Sequence, residues 1–413
     1  MTATTIPPVE SYAPGTVTRA PEGSLSCSAS LLLGLGAVSL LGSLGGYFML
    51  DHDTQEHFQF SYLVSYMFTL SLALGALFFV LVQHVARAGW SIVVRRIAEN
   101  MTASFVALFV LFIPVILFSD TLFAHWMHAD LDPKSPGFDA LIAAKSGYLN
   151  KPFFFSRAAA YFAIWLGLAW FFRSRSLAQD ENGNPAVSLT LARTSAPGLI
   201  LFGLAITFAA FDWMMSLNPH WFSTMFGVTY FAGAEMSFLA LLALFCLWLR
   251  KKQLLSVVNT EHYHDIGKLM FAFMVFWSYV NFSQYFLIQY ADLPEETVWF
   301  QARRLGNWPL VGAALVIGHF MVPFVFLLSR HIKRSRLTLA VAAVFLLFMH
   351  WVDMHFVIMP NHADHFSLSW FDVTTLLGTL CVFLGLTVRG VASTNLIPVR
   401  DPKLRESMRF VNI

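Results

Sequence analysis

Two aspartates stand in apolar sequence with matching surroundings. Asp212 lies in Ala209-Ala-Phe-Asp-Trp-Met-Met-Ser-Leu-Asn-Pro219-His220, and Asp353 in His350-Trp-Val-Asp-Met-His-Phe-Val-Ile-Met-Pro360-Asn-His362. Each carboxylate precedes a proline by seven residues, and a histidine closely follows that proline. Seven helical residues rise about 10 Å, which places both groups inside a bilayer rather than in its headgroup layer. An ionisable side chain at that depth is costly and marks a proton or ligand pathway by default. Asp120 and Asp372 belong to the same outer half. Glu235, His319 and His350 lie deeper, and Lys268 opens its segment on the inner side. His350 and Asp353 are three residues apart and share a helix face, whereas His355 points elsewhere. A carboxylate beside an imidazole is a good proton relay, because each tunes the other's proton affinity.

Plainer readings stand beside this one. Single polar residues in membrane helices also hydrogen-bond neighbouring helices, the expected role of Asn281 and Gln284. His125, His128, His220, His362 and His365 fall at the outer surface as interfacial residues. His319 and His350 reach matching depth on helices expected to be adjacent, a pair that would suit axial ligation of one b-type haem. The three cysteines, Cys27, Cys246 and Cys381, are isolated. No Cys-x-x-Cys or Cys-x-x-Cys-His occurs, so the chain lacks motifs for a zinc knuckle, an iron–sulfur cluster or covalent c-type haem. No metal site is expected.

The elements that must position these groups are membrane helices. The chain is 57% hydrophobic and 12% charged, the composition of an all-α polytopic membrane protein. Stretches of roughly 20 apolar residues give ten spans at 28–49, 58–83, 101–123, 156–172, 196–215, 222–249, 267–290, 308–328, 337–359 and 366–389. Most of the 26 lysines and arginines fall beside the loops after even-numbered spans and in the tail after span ten. The positive-inside rule therefore predicts both termini in the cytoplasm. Basic runs such as Arg250-Lys-Lys252 read as headgroup anchors, not as a nucleic-acid surface. Residues 1–26 read as a disordered cytoplasmic tail, 27–390 as the ten-helix transmembrane domain and 391–413 as a cytoplasmic C-terminal tail. The Asp-x6-Pro echo, with Phe118-Ser-Asp120 against Phe282-Ser-Gln284, predicts a parallel repeat. Two four-helix bundles follow, about 58–215 and 222–359, with spans one and ten peripheral.

Three longer segments carry a resemblance: Phe211-Asp-Trp-Met-Met-Ser-Leu-Asn-Pro-His-Trp-Phe-Ser-Thr-Met-Phe-Gly227, Tyr263-His-Asp-Ile-Gly-Lys-Leu-Met-Phe-Ala-Phe-Met-Val-Phe-Trp277 and Phe282-Ser-Gln-Tyr-Phe-Leu-Ile-Gln-Tyr290. They resemble the second large integral membrane subunits of Alternative Complex III, a bacterial quinol:electron-acceptor oxidoreductase. Those subunits belong with the NrfD-like, polysulfide-reductase-like membrane proteins, and the similarity runs over about residues 120–370. The resemblance implies two bundles plus peripheral helices in a bacterial inner (plasma) membrane, with no redox cofactor in this chain. Menaquinone or its quinol is the implied substrate of the complex. Haem c and iron–sulfur clusters would sit in partner subunits: a multihaem cytochrome c and an iron–sulfur protein, beside a sister NrfD-like membrane subunit. The sister is the better candidate for the working quinol site. This chain would then give scaffold, a potential quinone contact and a proton path through Asp120, Asp212, Glu235, Lys268, His319, His350, Asp353 and Asp372. The matched motifs contain Asp212, His220, Lys268 and Gln284, to which the resemblance assigns no firm role. A proton-coupled secondary transporter and a single-haem b cytochrome are the readings from other classes.

Overall fold

The computed structural model describes residues 6–7, 9–11, 13, 15–49 and 51–412. Among the described residues ten helices are long and apolar enough to cross a membrane: α1 Ser26–Met49, α2 Thr54–Val85, α3 Ile92–Leu117, α4 Lys151–Asn182, α5 Ala186–Leu217, α6 Phe226–Lys251, α7 Thr260–Ala291, α8 Trp308–Leu328, α9 Arg336–Asn361 and α10 Trp370–Ser393. No β-strand occurs among the described residues. The protein is an all-α polytopic membrane protein, as expected where hydrocarbon forces each segment to satisfy its own backbone polar groups.

Several boundaries move away from the apolar windows, among them the start of α5, at Ala186 rather than 196, and that of α7, at Thr260 rather than 267. α3 starts well before residue 101 because Arg95, Arg96 and Glu99 pair with one another and with neighbours instead of ending the helix. At its other end Pro114 removes a backbone donor, and the chain continues as short turns, Ser119–Leu122 and Ala124–Met127. Asp120 thus lies past the span with its side chain 60% exposed. This corrects its expected place in the outer half of the membrane. α4 is longer than its apolar core: the Asn150 side chain caps it by accepting from Phe153 N at 3.0 Å, and Gly183, at φ 62°, ends it.

α2 and α6 form the centre, their apolar windows 94% and 83% buried. A Cβ on Gly75 would stand 2.4 Å from Phe238 Cβ, so these helices meet this closely only without a side chain there. α3, α4 and α5 close a ring with α2, and α7, α8 and α9 close one with α6. α5 also packs on α6 and α9 on α2, a reciprocal exchange between the two rings. α10 lies against α2 and α3, and α1 packs mainly on α10. Hydroxyls zip α10 to α2. Ser61 Oγ donates to Asp372 Oδ1 at 2.7 Å, Ser65 meets Thr375 at 2.8 Å and Thr69 meets Thr379 at 2.9 Å.

Arg19 bridges to Asn395, so the start of α1 and the end of α10 share one face, the terminal face; the opposite side is the far face. Residues 1–5, 8, 12 and 14 of the predicted N-terminal tail lie outside the described residues. Elsewhere in that segment Ile6 N donates to Gly183 O at 2.9 Å and Leu25 is buried. The C-terminal segment is clamped by buried charge: Arg95 meets Asp401 at 2.6 Å, and Asn395 donates at 3.1 Å to Asp180, which Arg96 holds at 2.8 Å.

Candidate functional site

The second ring holds a cluster of polar side chains in its interior. On α9, His350 and Asp353 share a face, as their spacing predicts, and their side chains approach to 3.9 Å between Nδ1 and Oδ2. Trp277 of α7 donates its Nε1–H to Asp353 Oδ2 at 3.1 Å. The Trp277 ring also covers His319 of α8, centroid to centroid 4.0 Å. Ser71 of α2 lies 3.0 Å from His350 Nε2. His319 and His350 are fully buried and Asp353 is 5% exposed.

Local chemistry sets each position. Pro323 cannot accommodate the carbonyl four residues before it, and that residue is His319. The helix widens here into a π segment, Leu315–Met321, a form that often accompanies functional sites. Gly233 of α6 makes room for the second histidine. A Cβ there would stand 2.7 Å from His350 Cε1 and 3.0 Å from Nδ1. Gly233→Ala is expected to overpack this point and destabilise the protein by about 1–3 kcal/mol. Thermal melting in detergent reads the effect, and an unchanged midpoint would mean that the imidazole moves aside freely.

The hydrogen-bond pattern assigns the His350 tautomer. Ser71 Oγ donates to Phe68 O at 2.6 Å, which leaves its lone pairs to accept from His350 Nε2–H. Nδ1 then carries a lone pair and faces Asp353 without a hydrogen bond. Both ring nitrogens of His319 also lack partners. No lysine or arginine pairs with Asp353 among the described residues. The pair can exchange a proton if it closes by roughly 1 Å to hydrogen-bond distance.

The other carboxylates sit differently. Asp212, placed like Asp353 in sequence, is held bidentate by Arg157 at 2.7 and 2.9 Å and accepts from Tyr161 Oη at 2.7 Å. The Arg157 guanidinium lies 3.8 Å from the Tyr148 ring centroid. This carboxylate is thus held in a buried ion pair, unlike Asp353. Asp120 is bound to Lys151 at 2.5 Å, and first this hydrogen bond holds its pKa below the usual carboxylate range. Lys268 lies at the surface and pairs with Asp265 at 2.5 Å. Glu235 is buried two residues beyond Gly233, its Oε2 without a partner.

Asp372 is buried near the far face. Its Oδ1 accepts from Ser61 and lies 3.1 Å from His355 Nε2; its Oδ2 accepts from Ser369 N at 2.7 Å and lies 3.2 Å from His57 Nε2. His57 contacts His362 edge-on at 5.6 Å. His355, which points away from Asp353, therefore belongs to this second group. Asn281 does not bond a neighbouring helix as expected but donates to Trp277 O on its own helix, while Gln284 accepts from Ser223 in the loop before α6.

Sequence reasoning missed Trp277, Ser71, Arg157, His57 and the role of His355. One signal was present: α4 starts at Asn150-Lys-Pro152 and α8 at Asn307-Trp-Pro309. Aligned on these, Arg157 corresponds to Ala314 and Phe162 to His319. The Asp-x6-Pro echo likewise sets Ala209 against His350, and the Phe-Ser echo sets Ile113 against Trp277. One half thus carries an arginine and apolar side chains where the other carries the polar cluster.

Neither implied cofactor fits between these side chains. The His319 and His350 centroids are 6.3 Å apart, but Trp277 covers one ring and Gly233 abuts the other, so a porphyrin would have to displace both. A recess of about 180 Å³ beside Phe68, Leu241, Phe348, Trp351 and Leu380 is almost wholly apolar. It suits a hydrocarbon chain and offers no carboxylate or imidazole to a quinone carbonyl. No group of three His, Cys, Asp or Glu side chains among the described residues could hold a metal ion.

Fold and site together define a polytopic helical membrane protein with titratable side chains buried in both rings, ion-paired in the first and without a cation at Asp353 in the second. No protein-family model matches the sequence, and no curated protein matches it either.

Proposed function

We propose that the protein is an integral membrane subunit of a respiratory quinol oxidoreductase of the Alternative Complex III kind, and that its second ring moves protons. The observation that carries the proton role is Asp353, buried without a cation and facing the open Nδ1 of His350. Asp353 takes up and releases the proton, His350 Nδ1 is its exchange partner, and Trp277 and Ser71 hold the two in place. Asp372 with His57 and His355 forms a proton-accepting group toward the far face. Glu235 supplies a carboxylate on the helix that abuts His350. Asp120, Asp212 and Lys268 stay outside this path because each is bound to an opposite charge.

The role within a complex rests on the three motif segments. In this reading the quinol is oxidised on the sister subunit of a bacterial inner membrane, and electrons pass to iron–sulfur and haem c groups in other chains. The far-face segments 118–150 and 292–307, with exposed Leu131, Leu141, Leu293 and Leu305, would seat those chains. Purification in mild detergent is expected to yield a multihaem cytochrome c and an iron–sulfur protein at fixed stoichiometry. Isolation of the chain alone, with proton-coupled solute uptake when placed in liposomes, would favour a transporter instead.

A further inference from the structure

A second feature lies at the terminal face, where α2, α3 and α5 meet the C-terminal segment. It is a cavity of about 180 Å³, far above the roughly 15 Å³ that one water needs. Gln83, His84 and Arg87 from the end of α2, Arg95, Ser188 and Lys403 line it. Asp401 is the one carboxylate among the lining residues, and Arg95 neutralises it at 2.6 Å. The Arg87 guanidinium has no ion pair among the described residues. Lys403 Nζ donates to Arg87 O at 2.7 Å and meets no carboxylate. The cavity is therefore bordered by two uncompensated positive charges.

The wall also holds an unsatisfied group. His84 is 4% exposed and its Nε2 has no partner. A buried polar nitrogen beside two free cations calls for an acceptor-rich anion. The first turns of α3 and α5 favour negative charge here, against the last turn of α2, which disfavours it. α2 ends at Val85, so the cavity sits at headgroup depth.

We propose that this cavity binds a phosphate ester. Arg87 and Lys403 supply the charge, Ser188 and His84 the further hydrogen bonds. The same chemistry is found in an anionic phospholipid headgroup and in soluble phosphate compounds, and the experiment separates the two.

The intact purified protein, with its partners where they copurify, is placed in nanodiscs of phosphatidylcholine with increasing phosphatidylglycerol, and retained lipid is read by native mass spectrometry. Wild type is expected to retain phosphatidylglycerol, and Arg87→Asn with Lys403→Gln to weaken retention about thirtyfold, as two juxtamembrane charges imply. Asn suits position 87, whose φ is 48°. Lys134→Gln, an exposed lysine on the far-face loop, is the control and should change nothing. A melting shift from inorganic phosphate, lost in the double variant and without any phosphatidylglycerol preference, would identify a soluble source. Should the double variant not fold, Arg87→Asn alone gives the same reading. Equal lipid retention in wild type and variant, with no response to phosphate in either, overturns the proposal.

Discussion

Asp353→Asn in the intact assembly is expected to slow proton-coupled quinol oxidation roughly a hundredfold, the low end of what a positioned proton-transfer group contributes. The substitution keeps the acceptor for Trp277 Nε1–H, so packing around the site should persist. What it removes is a side chain able to carry a proton toward His350 Nδ1. His350→Gln should behave alike, because the amide can still meet Ser71 but does not titrate. Quinol oxidation and proton release, measured together on reconstituted complex, decide the matter. Wild-type rates and coupling in both variants would reduce the second ring to scaffold.

Arg157→Met should act through folding. The change strands Asp212, fully buried and otherwise held by Tyr161, without its cation. Breaking a buried ion pair from one side costs about 3–5 kcal/mol, enough to deplete folded protein in the membrane. Arg157→Met combined with Asp212→Asn removes both charges and leaves Tyr161 an acceptor, so much of the loss should return. Accumulation and melting temperature of the single and double variants read the difference. An equal deficit in both would mean that Arg157 matters for its stacking on Tyr148 and Phe153 rather than for its charge.

The two predictions draw opposite consequences from one sequence pattern. Asp212 and Asp353 have the same proline spacing, yet one has an arginine 55 residues earlier in the chain and the other has a tryptophan and a histidine. Within each half the echo was legible, since Asp-x6-Pro and Phe-Ser-polar recur in order. The divergence between the halves was legible only after aligning the Asn-x-Pro helix starts, where Ala314 takes the place of Arg157. Asp120 misled for another reason: its run is apolar enough to span, but the helix ends at Leu117 and gives way to short turns before the aspartate is reached. α3 misled in the other direction, because mutual pairing lets Arg95, Arg96 and Glu99 stay helical and buried.

Hydropathy along the chain was enough for the spans and strand-free fold of the described residues, the approximate span limits, and the burial of Asp353, His350 and His319. These follow from hydropathy and helical rise, which sum over neighbouring residues and need no knowledge of distant ones. Tertiary structure alone decided which carboxylate meets a cation, which way His350 presents its open nitrogen and that His355 turns to Asp372. Those outcomes depend on contacts between helices far apart in the chain, where a glycine such as Gly233 or a π turn such as that at His319 sets which side chains can touch.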